Sequence, residues 1–148
     1  MRYNLYLLIF IGIIVLASCA GTHGKIKSYS TNSSMIEVKE AMMKVAENAN
    51  YITFFDNTDG SGINRKGYID ILIETSEVRK KFKIHFYGNE TFWEENPDFC
   101  SFAIIKINLN TNAQFSMWSK EKRIALEIFE KETIPRLENI LGEIEVES

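Results

Sequence analysis

The first regular feature along the chain is a helical spacing of apolar positions that begins after residue 34. Ser34 and Glu37 have the spacing of a capping box, in which each side chain accepts a hydrogen bond from the other residue's backbone N–H group at a helix start. The apolar positions that follow are Met35, Val38, Met42, Val45, Ala46 and Ala49. This spacing predicts a helix from about residue 34 to residue 48 with one buried face.

Beyond residue 50 apolar and polar positions alternate, which is typical of strands with one solvated face. The alternation occurs in three segments: 51–55, 69–74 and 81–86. A longer run at 101–109 is apolar on both sides near its start, so we expect it to be a central strand. Residues 110–112 are typical of a hairpin turn and predict a further short strand at 113–118.

Helical spacing returns near the end of the chain. Ser119 can cap a second helix that runs to about Glu132, and Pro135 is expected to kink or restart it. Gly142 is a natural helix stop, and the acidic segment after it is expected to fray. The order of helix, antiparallel meander of about five strands and C-terminal helix predicts an α+β fold, a two-layer sandwich.

The N-terminal residues have the three-part plan of a secretory signal, with Arg2, an apolar block at 5–16 and small residues at Ala17 and Ser18. The block is shorter than the roughly 20 apolar residues that a membrane-spanning helix needs. Residues 16–19, Leu-Ala-Ser-Cys, resemble the lipobox of bacterial lipoproteins. The resemblance implies that Cys19 is lipid-modified, that the chain is cut just before it, and that the protein is anchored to the bacterial cell envelope.

The resemblance also indicates which membrane carries the protein and where the chain divides into segments. Ala20 stands where an aspartate commonly holds Gram-negative lipoproteins at the inner membrane, which favours the outer membrane if the host has one. We divide the chain into a signal peptide at 1–18, a flexible tether at 19–32 rich in small polar residues, and a single globular domain at 33–148.

The charge and the cysteine content exclude some functions. Removing Arg2 with the signal peptide leaves 16 basic and 20 acidic side chains, a formal charge of −4, so we expect no nucleic-acid partner. With Cys19 carrying lipid, Cys100 has no partner for an intramolecular disulfide, and its apolar neighbours predict a buried thiol. An intermolecular disulfide is the alternative. A catalytic thiol would require Cys100 to meet His85 and Asp98, which no spacing demands.

A polar loop at 56–62 raises a calcium hypothesis, with Asn57, Asp59 and Ser61 as ligands. The twelfth position of such a loop, where a bidentate glutamate is required, falls on Tyr68, so a tight turn is the preferred interpretation and calcium the alternative. The sequence predicts no other metal and no cofactor.

The candidate binding residues lie between two predicted strands, where large aromatic side chains occur beside acidic ones. They are Tyr87, Phe92, Trp93, Glu94 and Glu95. Aromatic rings bury a large area at little entropic cost, and carboxylates attract basic or polar partners. The sequence therefore predicts a membrane-tethered binding module for a protein or an envelope polymer, with an inhibitor or immunity protein as one form of it. The alternatives are a structural accessory of an envelope assembly and an enzyme that uses carboxylates.

Overall fold

The computed structural model describes residues 25–56, 67–108 and 120–147. Within them the elements are β1 (Lys27–Thr31), α1 (Met35–Glu47), β2 (Ile52–Asp56), β3 (Tyr68–Glu74), β4 (Arg79–Phe86), α2 (Glu90–Glu95), β5 (Cys100–Asn108), α3 (Lys120–Glu132), α4 (Ile134–Leu141) and β6 (Ile144–Glu147). None of the helices in these segments is long and apolar enough to cross a membrane. The predicted lipidation site Cys19, the loop with Asn57, Asp59 and Ser61, and the predicted strand at 113–118 all lie outside the described residues.

The six strands form one antiparallel sheet in the order β2-β3-β4-β5-β1-β6. Successive side chains of a strand point to opposite faces, and the apolar ones point to the face that the longer helices cover. On this inner face Phe82 lies 5.1 Å from the Phe129 ring of α3, and Tyr29 is stacked 5.3 Å from Phe102. The predicted α+β fold is confirmed, and β5 is a central strand with neighbours on both sides.

The predicted tether is wrong from Lys27 onward. Residues 27–31 form β1, which is paired with β5 on one side and with β6 on the other. Tyr29 is fully buried and its hydroxyl donates a hydrogen bond of 3.2 Å to Glu130. A single large apolar side chain among small polar ones gives no alternation to detect, so only the neighbouring strands make this segment a strand.

The predicted fraying of the acidic tail is also wrong, because Ile144–Glu147 forms the edge strand β6 beside β1. The predicted meander corresponds to β2, β3, β4 and β5. The other two described strands, β1 and β6, are formed by residues that were predicted to be irregular. Three helix predictions are confirmed: α1 begins after the Ser34 cap, α4 restarts at Ile134 with Pro135 in its first turn, and Gly142 ends α4 with a φ of +87°. The predicted Ser119 cap lies outside the described residues, and the short helix α2 was not predicted.

The pairing of β1 with β5 defines two ends of the sheet. At the end that we call the entry end, the described chain enters β1 at Lys27, which is paired with Ile104. At the opposite end, which we call the groove end, Thr31 is paired with Cys100. The start of α1 and the whole of α2 follow strands that finish at the groove end, so these two helices meet there.

Candidate binding site

A groove of about 620 Å³ lies at the groove end, between the first turn of α1 and the segment from α2 to Asp98. Its apolar lining consists of Met35, Ile36, Trp93 and Pro97. The Ile36 side chain is 63% exposed, the largest exposed fraction of any large hydrophobic side chain in the described residues. A groove that combines this side chain with other apolar residues and a few charged groups is a candidate binding site.

The α1 side of the groove is fixed by the capping box. The Ser34 side-chain oxygen accepts a hydrogen bond from the Glu37 backbone N–H group at 3.2 Å, and the Glu37 carboxylate accepts one from the Ser34 backbone N–H group at 2.8 Å. The hydrogen bond from the Ser34 backbone is the main reason that the pKa of Glu37 is lowered. Glu37 therefore stays ionised at the groove edge, while Ile36 between the two capping residues points outward.

Trp93 forms the opposite wall and is held rigidly. Its indole N–H group donates a hydrogen bond to the Tyr87 carbonyl oxygen at 2.9 Å, and its ring packs against the hydrophobic core. Gly88 makes this approach possible, because its φ is +114° and a Cβ atom there would lie 2.8 Å from the indole nitrogen. The backbone of Gly67 lies beneath the other edge of the ring, where a Cβ would be 3.3 Å away.

The rim of the groove is acidic. Its charged side chains are Glu37, Glu90, Glu94 and Asp98. Among the described residues that line the groove, none carries a positive charge. Four carboxylates around an apolar floor create a negative potential that favours a positively charged ligand group.

The apolar surface continues along α1 beyond the groove. A second depression of about 400 Å³ shares Met35 and Ile36 with the groove and extends to Met43 and Phe54. Met43 is exposed and lies seven residues after Ile36, so both are on the same side of the helix. Lys39 is beside them and forms a 2.8 Å ion pair with Asp56 of β2. The two depressions together make one apolar strip along the outside of α1.

The structure brings only part of the predicted binding residues into the groove. Trp93 and Glu94 line it, whereas Phe92 and Glu95 are exposed on α2 outside its lining. The half-buried Tyr87 ring lies 5.2 Å from His85, so it belongs to the outer face of the sheet.

Sequence reasoning missed the α1 half of the groove. It placed binding in the segment 87–98 but did not name Glu90, Pro97 or Asp98 among the candidate residues. Met35 was assigned to the buried stripe, and Ile36 to no feature. The signal that could have found this half is the pair Ile36 and Met43, two apolar positions seven residues apart that do not belong to that stripe.

The thiol-catalyst hypothesis is wrong on geometric grounds. Cys100 is buried on the inner face of the sheet, while His85 is stacked on Tyr68 at 4.4 Å on the outer face. Burial raises the pKa of the Cys100 thiol to about 12, so the thiolate required for catalysis is scarce at neutral pH. Within residues 25–56, 67–108 and 120–147, no cluster of three or more histidine, cysteine or acidic side chains could hold a metal ion.

Comparison with known proteins adds no relative: the chain matches no protein-family model, no curated protein and no solved structure.

Proposed function

We propose that the protein is a lipid-anchored binding module of a bacterial cell envelope, and that it holds a protein partner by a segment that combines apolar and basic side chains. The observation that carries the proposal is the groove, which is lined by exposed Ile36 and by Trp93 and carries four carboxylates on its rim. The anchor rests on the lipobox-like residues that end at Cys19.

The apolar part of the groove supports a macromolecular partner. Burying an exposed isoleucine side chain contributes about 1.5–3 kcal/mol, and Trp93 offers a large, rigid ring that loses little entropy on binding. Because the Trp93 ring is already fixed by its hydrogen bond to Tyr87, the wall is formed before a partner arrives. The groove continues into the second depression beside Met43, so its length suits an extended or helical peptide segment.

The charge of the rim supports a basic segment over a neutral one. Carboxylates around an apolar floor raise the association rate of a cationic partner and disfavour an anionic one. This argues against an acidic envelope polymer as the occupant. A carboxylate-based enzyme would need an acid whose pKa is raised toward neutrality, whereas the pKa of Glu37 is lowered.

Site-specific photo-crosslinking in the bacterium that makes the protein tests the proposal. A photo-reactive residue placed at Ile36 should yield one main protein adduct, because this exposed side chain lines both the groove and the second depression. The matched control is the same residue at Ile140 of α4, which is 44% exposed but does not line the groove. The crosslinked peptide, read by mass spectrometry, should contain lysine or arginine beside large apolar residues.

Charge reversal of the rim provides the second part of the test. The double variant Glu94→Lys and Asp98→Lys should reduce the adduct by more than about tenfold, whereas Glu138→Lys on α4 should leave it unchanged. An adduct of equal yield from positions 36 and 140, an acidic crosslinked segment, or a carbohydrate adduct would each refute the proposal. If the crosslinked partner is a soluble protein, the binding module is of the inhibitor or immunity type. If the partners are integral membrane proteins, the protein is an accessory of a membrane assembly.

A further inference from the structure

The outer face of the sheet carries a row of side chains that crosses four strands. Phe55 of β2 is paired with Asp70 of β3, and Asp70 is paired with Lys83 of β4. Lys83 is in turn paired with Lys106 of β5. Directly paired side chains on one face lie about 4.5–5.5 Å apart at their Cβ atoms. Lys81 is two residues before Lys83 and shares its face, so three lysines converge there around a depression of about 230 Å³.

We call Lys81, Lys83 and Lys106 the lysine patch. Asp70, only 5% exposed, lies among them, with its Oδ2 atom 2.8 Å from the Lys81 nitrogen and its Oδ1 atom 3.9 Å from the Lys83 nitrogen. Lys106 is exposed and has no ionic partner in the part of the chain that the structure describes. One buried carboxylate thus holds two ammonium groups, and a formal charge of +2 remains on the patch.

The lysine patch lies toward the entry end of the sheet. Lys106 is two residues beyond Ile104 on β5, and Ile104 is paired with Lys27, the first residue of β1. The Ile26 backbone N–H group also donates a hydrogen bond of 2.8 Å to the Ile104 carbonyl oxygen. Cys19 precedes Ile26 by seven residues, and a chain of that length spans at most about 25 Å when fully extended.

The following inference rests on the lipid anchor that is part of the proposed function. With Cys19 in the membrane, the entry end must stay within about 25 Å of the lipid headgroups. The acidic groove lies at the opposite end of the sheet, and β4 alone has eight residues, a length of about 26 Å. Anionic headgroups attract the lysine patch and repel the acidic rim, and this attraction acts over a screening length of about 8 Å at physiological salt.

We propose that the lysine patch docks on the phosphate groups of anionic lipids in the membrane that carries the anchor, and that this contact holds the groove end away from the bilayer. Lysine suits this role because its compact ammonium group binds phosphate as a point charge. The anchor alone would leave the domain free to turn on its tether. The lysine patch selects the orientation in which the groove is open to a partner.

Lysine acetylation of the full-length lipidated protein in vesicles, read by mass spectrometry, tests the docking. One vesicle type is phosphatidylcholine alone, and the other contains about 30% phosphatidylglycerol to supply anionic phosphate. Acetylation of Lys106 should fall at least about threefold in the anionic vesicles and recover at about 0.5 M NaCl, where screening is strong. Lys131 of α3, whose side chain is 83% exposed on the helical side, is the matched control and should react equally in both.

A second variant separates docking from the anchor. Lys106→Glu should remove most of the protection of Lys83, whereas Lys131→Glu should not, and both proteins should still float with the vesicles at high salt. Equal acetylation of Lys106 in the two vesicle types, with flotation intact, would refute the docking and leave the anchor standing. A protein that is protected in anionic vesicles but leaves them at high salt would refute the anchor and retain the lysine patch.

Discussion

The indole nitrogen of Trp93 and the backbone carbonyl oxygen of Tyr87 are joined by a hydrogen bond of 2.9 Å, and this bond fixes one wall of the groove. Although Trp93 and Tyr87 are close in the sequence, their side chains lie in different parts of the structure. Trp93 turns toward the groove and the core, whereas the Tyr87 ring remains on the outer face of the sheet beside His85. The wall is therefore part of the folded structure as well as of the proposed contact surface.

Replacing Trp93 should accordingly cost stability. We expect Trp93→Ala to lower the free energy of unfolding by about 2 kcal/mol, since a half-buried ring and its hydrogen bond are both lost. Trp93→Phe should cost less because it keeps most of the packing. Thermal unfolding followed by circular dichroism measures both values. An unchanged melting temperature for Trp93→Ala would show that the ring does not support the fold.

Among the described residues, Gly88 and Gly142 have a positive φ and offer a pair of alanine variants for comparison. Gly88→Ala would place a Cβ atom 2.5 Å from the Phe92 ring, while Gly142→Ala at the end of α4 has no atom within 4 Å of its Cβ. Both variants carry a backbone cost of about 1–3 kcal/mol for a positive φ, but only Gly88→Ala adds a clash. Chemical denaturation should show Gly88→Ala to be the less stable by more than about 1 kcal/mol. Equal stabilities would mean that α2 moves away without cost.

Ile36 should matter for binding and not for folding. Ile36→Gln places a polar side chain with good helix propensity at an exposed helix position, so we expect the free energy of unfolding to change by less than about 0.5 kcal/mol. Capture of the crosslinked partner should fall by more than about tenfold, because the apolar contact is replaced by an amide that must be desolvated. Ile140→Gln is the control that should leave capture unchanged. Normal capture by Ile36→Gln would move the binding site elsewhere.

Tyr29 should make the fold sensitive to alkali. Burial, and then the charge and hydrogen bond of Glu130, raise the pKa of Tyr29 above its ordinary value of 10.0. The stabilising effect is complete below pH 10, and it is lost as pH rises further because the unfolded tyrosine then ionises while the folded one does not. The loss amounts to about 1.4 kcal/mol per pH unit.

The variant Tyr29→Phe isolates this effect. At neutral pH it should cost about 1 kcal/mol for the hydrogen bond to Glu130, which keeps its 2.7 Å ion pair with Lys27. Between pH 10 and 11 the variant should lose less stability than the original protein, as measured by urea unfolding at each pH. Equal losses of unfolding free energy in the two proteins would show that a group other than Tyr29 causes the alkaline sensitivity.

Cys100 should be unreactive in the folded protein. Its thiol is buried and burial raises its pKa to about 12, so little thiolate is available at pH 8. An aromatic disulfide reagent should label Cys100 slowly in buffer and at once in denaturant. The same rate in both conditions would show that the thiol is accessible and would return an intermolecular disulfide to consideration.

The sequence by itself determined the α+β class, the bounds of α1, the central position of β5 and the stop at Gly142. These features depend on local rules: the capping box acts over three residues, alternation over two, and glycine through its own backbone. Trp93 and Glu94 were predicted as candidate site residues for the same reason, since aromatic and acidic side chains are adjacent in the sequence there, and both line the groove.

Only the tertiary structure decided which distant segments meet. β1 becomes a strand because β5 and β6 pair with its two sides, and β6 becomes one because β1 offers it a hydrogen-bonding edge. The groove likewise joins Ile36 to Trp93, which are 57 positions apart in the chain. Side-chain patterns along one segment record how that segment buries its own apolar surface, and they carry no information about which surface another segment leaves uncovered.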